Sequence, residues 1–132
     1  MKATIFLFIC CLVYVISPAS SLQCYSCSTL KDPDCGFNFK ATSTLRKCDK
    51  GAVCAAQYEK ANKKLGLEKA IHRGCFYPKR AAVTMPGLKW SSGCRYWYDE
   101  KNDSPAIYCF CSAKNGCNNL KPGINSMWRF YK

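Results

Sequence analysis

Hydrophobic and polar positions alternate in short segments of this chain, and polar turns separate the segments. Residues 52–58 and 67–73 flank a polar stretch that ends at Gly66, and together they predict a β-hairpin. The charged residues within 57–70 are also spaced as on a helix, so a helix over that range is the alternative. Short alternating segments joined by turns favour an all-β protein.

A second hairpin is predicted in the last third of the chain. Residues 94–98 and 106–109 are rich in aromatic and β-branched side chains, and the polar stretch 99–104 forms the turn between them. In a strand, Trp97 faces away from its two tyrosine neighbours, so one face packs on the sheet and the other is left for solvent or a partner. Trp97 is therefore a candidate contact residue.

Two connecting segments are predicted to be less regular. The first lies between Cys27 and Cys48 and contains a turn at residues 32–34. The second, residues 76–93, carries Pro78, Pro86 and Gly87, which favours an irregular excursion and not a further hairpin.

The N-terminus has the features of a secretory signal peptide. An apolar run over residues 3–16 follows a short basic start, and small residues stand at Ala19 and Ser21. We expect removal of residues 1–21, with cleavage after Ala19 or an uncleaved anchor as alternatives. No second apolar run of membrane length follows, so the mature chain is expected to be secreted and to have no transmembrane span.

Cysteine content predicts a covalently cross-linked fold. The chain has 12 cysteines, and two of them lie in the predicted signal peptide. The ten that remain are expected to form five disulfides in an oxidising compartment. Because so short a chain can bury only a limited apolar core, we expect the disulfides to dominate its stability. Their connectivity stays open at this level.

Metal binding and catalysis find little support in the residues. Cys24 and Cys27 have the two-residue gap of a zinc knuckle, but the downstream pair Cys109 and Cys111 is separated by one residue. The single histidine, His72, alternates with apolar residues like a solvent-facing strand position. With no free cysteine expected and no Gly-x-Ser-x-Gly sequence, we expect a non-enzyme without a cofactor.

The opening and closing cysteine motifs resemble those of the Ly6/uPAR family. The sequence Leu-Gln-Cys-Tyr-Ser-Cys begins at Leu22, and the last cysteine, Cys117, is followed by Asn118. The match covers residues 22–119. A single residue between Cys109 and Cys111 makes the chain similar to the invertebrate Quiver/Sleepless-like branch of that family.

This resemblance implies a small disulfide-rich all-β protein with the three-finger fold. It also implies that Asn118 closes the base by hydrogen bonding to backbone near the first strand. The implied disulfides are Cys24–Cys54, Cys27–Cys35, Cys48–Cys75, Cys94–Cys109 and Cys111–Cys117.

Charge is strongly positive and unevenly distributed. The chain has 20 basic and 8 acidic residues, a formal net charge of +12 at pH 7. The basic residues concentrate between positions 55 and 95, which points to anionic partners such as acidic receptor loops, lipid heads or sulfated glycans, and not to nucleic acid in a secreted chain. A merely solubilising basic face is the alternative. The candidate partner-binding residues of this region are Lys60, Lys63, Lys64, Lys69 and Arg73.

The resemblance implies an extracellular modulator that presents its second finger to a membrane receptor or ion channel, of the nicotinic receptor or potassium channel type. The alternative is a matrix, junction or cuticle protein that binds glycan or surface proteins through exposed aromatics. A membrane-active defence peptide is a third hypothesis. Residues 120–132 are expected to form a basic, aromatic tail without a GPI signal. Asn102 begins a glycosylation sequon, and the proline that follows it disfavours use.

Overall fold

The computed structural model describes residues 21–40, 45–61, 69–100 and 103–119. Residues 1–20 of the predicted signal peptide and the tail after Asn119 therefore lie outside the described part. The candidate residues Lys63, Lys64 and Asn102 also lie outside it.

The described residues form seven strands, one α-helix and two 3₁₀ turns. The strands are β1 (Gln23–Tyr25), β2 (Cys27–Ser28), β3 (Leu45–Lys47), β4 (Val53–Glu59), β5 (Ala70–Phe76), β6 (Gly93–Asp99) and β7 (Ser104–Cys111). The helix is α1 (Pro78–Thr84), and the 3₁₀ turns are Pro33–Cys35 and Cys117–Asn119.

Three antiparallel strand pairs give the three fingers. Finger one consists of β1 and β3, which form a two-stranded sheet, finger two of β4 and β5, and finger three of β6 and β7. Fingers two and three join β2 in a five-stranded sheet with the order β2-β5-β4-β7-β6. Both predicted hairpins are confirmed by their strands. The helix alternative over 57–70 is wrong at both described ends of that range, because β4 runs to Glu59 and β5 begins at Ala70, and residues 62–68 lie outside the described part.

The five-stranded sheet is packed on both faces. Along β7, Ile107 and Cys109 belong to one buried cluster, whereas Tyr108 and Phe110 belong to the other. This follows from the two-residue period of a strand, which sends successive side chains to opposite faces. Ala56, Tyr58 and Ile71 complete the first cluster, and Phe37 of the first loop packs against it.

The segment between finger two and finger three contains a helix, so the prediction of an irregular excursion over residues 76–93 is wrong for α1. Pro78 stands in the first turn of the helix, where its fixed φ fits and its missing N–H costs nothing. After the helix, Met85 and Leu88 pack against the second cluster. None of the described helical segments has the length and hydrophobicity that a membrane span requires.

Candidate functional site

The base of the molecule is tied by disulfides. The ten cysteines among the described residues form five disulfides, and these are the same five pairs that the family resemblance implies. Cys24, Cys48, Cys54 and Cys117 are buried together in one cluster, which fixes the roots of the fingers.

Three sulfur atoms of this base lie close enough to suggest a metal site. The Sγ atoms of Cys24, Cys48 and Cys75 lie within 4.8 Å of one another. Each belongs to a disulfide, with Cys24 bonded to Cys54 and Cys48 bonded to Cys75. A zinc ion binds thiolates, and these sulfurs supply none. The cluster is therefore a contact between two disulfides in the base.

Asn118 locks the C-terminal end of the domain onto the first two fingers. Its side chain is 1% exposed, and its Oδ1 accepts a hydrogen bond from the Tyr25 N–H at 3.0 Å. Its Nδ2 donates to the carbonyl oxygens of Tyr25 and Ala55, each at 3.0 Å. This is the closing role that the resemblance implies for the residue.

Arg73 is a buried structural residue, so its assignment to a partner-binding surface is wrong. The side chain is only 4% exposed, although the sequence places it in the most basic part of the chain. Its guanidinium donates to the carbonyl oxygens of Cys35, Gly36 and Asn118. It also stacks over the Phe39 ring, with Cζ 4.7 Å from the centroid. Arg73 therefore joins finger two to the first loop and to the closing 3₁₀ turn.

Burial shifts the pKa values of Arg73 and its neighbour Tyr58 in opposite directions. Burial raises the pKa of the Tyr58 hydroxyl above its usual value, and the positive charge of Arg73 partly offsets this. Burial lowers the pKa of Arg73, and Tyr58 works against that shift. Both effects favour the neutral form of a desolvated group. Tyr58 packs in the first buried cluster and Arg73 bonds to backbone carbonyl oxygens, so both residues have structural roles.

The exposed charges of finger two stand at the described ends of its strands. Lys60 directly follows β4 and Lys69 directly precedes β5, and both are exposed. The Lys69 ammonium lies 5.0 Å from the centroid of the Phe37 ring. Lys63 and Lys64 lie in the connection between these two lysines, outside the described residues. The structure thus brings two of the predicted contact lysines to the same end of finger two.

A cavity lies beside these lysines. It has a volume of about 340 Å³, and its walls are largely apolar. Phe37 from the first loop and Tyr58 from β4 face each other there, with ring centroids 5.6 Å apart. The lining residues are Phe37, Tyr58, Glu59, Lys60, Ala61, Lys69, Ala70 and Ile71.

Finger two also carries a small polar group beside this cavity, around the lining residue Glu59. The Glu59 carboxylate accepts a hydrogen bond from Gln57 Nε2 at 2.5 Å and lies 3.5 Å from His72 Nε2. Gln57 and His72 are directly paired across the hairpin. Because Glu59 is the last residue of β4 and directly precedes Lys60, its carboxylate reduces the positive charge at this end of finger two.

The aromatic run of finger three is mostly used for packing. Trp97 is half-buried and meets Tyr108 edge-on, with ring centroids 6.3 Å apart. Tyr96 packs against the opposite cluster. Tyr98 is 42% exposed, and its hydroxyl donates a hydrogen bond to Asp103 that raises the pKa of the tyrosine. Tyr98 therefore offers more free surface to a partner than Trp97 does.

One residue of this region, Phe37, was not predicted from the sequence to contribute to the site. Phe37 lies in the loop expected to be loose, yet it forms a wall of the cavity and contacts Lys69. The only indication in the sequence was the residue type itself, because phenylalanine is among the residues most often buried.

Comparison with known proteins identifies one family. Residues 22–118 match the model of the Quiver family u-PAR/Ly-6-like domain. Searches of the curated proteins and of the solved structures returned no match.

Proposed function

We propose that this chain, which belongs to the Quiver family of u-PAR/Ly-6-like domains, is a secreted modulator of a membrane receptor or ion channel. Such domains are generally non-enzymatic extracellular binding modules, and the disulfide-tied base of this chain suits an oxidising environment. The finer proposal is that finger two makes the contact, at a receptor or channel of the nicotinic or potassium type.

The position of Lys60 and Lys69 carries this proposal. Both are exposed at the end of finger two, whereas Arg73 on the same finger is turned inward and buried. The finger is held by neighbours on both sides, because β5 pairs with β2 and β4 pairs with β7. A charged tip on a rigid support favours rapid encounter with an acidic partner and a low entropic cost of binding.

Charge reversal at this tip tests the proposal. We expect Lys60→Glu/Lys69→Glu to weaken binding of the secreted, oxidised protein to receptor-bearing cells by about tenfold or more, mainly through slower association. Lys63→Glu/Lys64→Glu in the connection should act in the same direction. Binding is measured on living cells by titration of labelled protein at two salt concentrations.

The matched control is Lys47→Glu/Lys114→Glu, which makes the same change in net charge at exposed positions outside finger two. Each variant is first checked for the five disulfides by mass mapping. Equal losses in the control and the finger-two variants would show that only net charge matters and would remove finger two from the proposal.

A glycan-binding role in matrix or cell junctions is the second candidate. The observation that favours it is the exposure of Tyr98, since an exposed aromatic ring can stack on a sugar. Retention on chitin or heparin resin at physiological salt, lost in Tyr98→Ser, would support this role. Passage through both resins without retention would count against it.

A further inference from the structure

The segment between fingers two and three is basic and contains no acidic residue. From Phe76 to Tyr98 the sequence has four cations and neither Asp nor Glu. In the part of the chain that the structure describes, no ion pair involves Lys79, Arg80 or Lys89. All three are exposed. Arg80 stacks over the Tyr77 ring, with Cζ 4.7 Å from the centroid, so its partner there is an aromatic face and not a carboxylate. The three positive charges are therefore not neutralised by an ion pair within the described residues.

The packing of this segment fixes which side faces outward. Met85 and Leu88 pack against the second cluster of the sheet, so they anchor the segment from beneath. On α1, Val83 is four residues from Lys79 and three from Arg80, which places the three side chains on one helical face. Val83 is 85% exposed, so an apolar side chain accompanies the two cations on the outer side.

A second exposed apolar group follows the helix. Trp90 is 52% exposed and stands next to Lys89 in the chain. Tryptophan has a large apolar ring and one N–H donor, and it is enriched at the boundary between lipid headgroups and acyl chains. Val83 and Trp90 therefore supply two apolar contacts, and the neighbouring cations supply three charges.

We propose that this segment is a membrane-contact surface that seats the protein on an anionic lipid bilayer. Lys79, Arg80 and Lys89 would pair with headgroup phosphates, while Val83 and Trp90 enter the interface. A bilayer fits better than a sulfated glycan, because a glycan chain offers no apolar layer for Val83. The charge complementarity is the ordinary electrostatic attraction of basic segments to anionic lipid, reinforced by shallow apolar insertion.

This surface is separate from the proposed receptor contact, because it uses none of the finger-two lysines. Contact with the bilayer would hold the protein beside membrane receptors and so raise its local concentration there. The vesicle measurement below contains no receptor, so its failure and the failure of the finger-two proposal are distinguishable.

The test is partitioning of the oxidised protein onto vesicles of phosphatidylcholine with and without about 30% phosphatidylglycerol. Sedimentation gives the bound fraction, and quenching of tryptophan fluorescence by brominated lipid shows whether a tryptophan enters the interface. We expect binding that needs the anionic lipid and is weakened by salt, with quenching that is lost in Trp90→Phe.

Two sets of variants separate the parts of the contact. Lys79→Glu/Arg80→Glu/Lys89→Glu should lower the partition coefficient by at least about a hundredfold, because losing each cation costs about fivefold and the new carboxylates are repelled by the anionic lipid. Lys31→Glu/Lys47→Glu/Lys114→Glu makes the same change in net charge outside the segment and should have a much smaller effect. Val83→Ser should lower partitioning by about threefold without changing charge.

The Val83 variant also guards against misfolding, since a side chain so exposed contributes little to the fold. Equal loss of partitioning in the two charge variants would overturn the proposal. So would unchanged partitioning in Val83→Ser together with unquenched tryptophan fluorescence, because that combination describes purely electrostatic adsorption. Retention on heparin that depends on the three cations, without vesicle binding, would assign the surface to a sulfated glycan instead.

Discussion

Single buried polar side chains connect parts of this molecule that are distant in sequence. Asn118 bonds to backbone 93 and 63 residues away, and Arg73 bonds to backbone 38 and 45 residues away. Each side chain satisfies several backbone groups at once, and a buried backbone group without a partner costs about 1 to 3 kcal/mol. A replacement that preserves only the charge of Arg73 or only the size of Asn118 would therefore still leave buried backbone groups without hydrogen-bond partners.

Replacement of Asn118 should test this directly. We expect Asn118→Ala to lower the free energy of unfolding by about 3 kcal/mol, because it leaves the Tyr25 N–H and two carbonyl oxygens unpaired. Asn119→Ala is the control, since Asn119 is exposed, and it should change stability by less than about 0.5 kcal/mol. Urea titration at neutral pH measures both, and equal effects would contradict the assignment.

Tyr108 predicts a loss of stability in alkali. Burial raises the pKa of this tyrosine well above its usual value, and the negative charges of Glu59 and Asp99 add to the shift. The hydroxyl of an unfolded tyrosine has a pKa of about 10. The stability that the neutral, buried hydroxyl contributes is therefore complete below that pH and is lost as the pH rises toward the pKa of the folded state. In that window the free energy of unfolding should fall by about 1.4 kcal/mol per pH unit from this group.

Tyr108→Phe removes the ionisable hydroxyl and keeps the ring. Urea titrations between pH 8 and pH 11.5 should show a shallower alkaline slope in the variant than in the wild type. Absorbance at 295 nm should lose one late-ionising step. Identical slopes in the two proteins would show that Tyr108 does not govern the alkaline loss.

At the scale of elements, the segment after finger two stabilises the sheet from one side. Leu88 packs against the cluster that contains Tyr108 and Phe110, whereas Val83 on the same segment points to solvent. The two positions offer a matched comparison between an anchoring and an exposed aliphatic side chain.

We expect Leu88→Ala to cost about 1 to 2 kcal/mol, less than for a fully buried leucine because the side chain is only half-buried. Val83→Ala should stay within about 0.5 kcal/mol of the wild type. Thermal or urea unfolding of the two variants measures the difference. A larger effect at Val83 would mean that α1 packs by its other face.

The sequence predicted these elements unevenly, for physical reasons. The two long hairpins alternate over seven or eight residues, which is enough for the period to be read. β1 and β2 have three and two residues, too few to show a period, and they pair with distant partners. α1 was missed because its flanking prolines suggested a loop, although proline at the first turn also favours a helix start.

At the scale of the whole molecule, covalent links hold the finger roots and a continuous sheet joins two of the fingers. The connectivity of the links could not be read from the residues and came from the family resemblance, because cysteine spacing leaves many pairings open. Arg73 shows the same limit for the candidate site. Its charge suggested surface, and only the tertiary fold brings three carbonyl oxygens to it.

The disulfides should differ in their contribution to stability. Cys24–Cys54 closes a separation of 30 residues, and Cys111–Cys117 closes one of 6. Loop-closure entropy favours the wider link by about 1 kcal/mol. We therefore expect Cys24→Ala/Cys54→Ala to lose more stability than Cys111→Ala/Cys117→Ala, measured by urea unfolding of the secreted variants. The reverse order would show that native packing around the small loop outweighs chain entropy.

The place of β4 in the sheet has a mechanical consequence. Because β4 is paired on both edges, finger two cannot bend away without breaking the ladder to finger three along residues 54–59. The amide protons of β4 should thus exchange with deuterium among the slowest in the domain. A force applied at the far end of finger two would be transmitted to finger three through this ladder, so we expect the two fingers to move together as one unit.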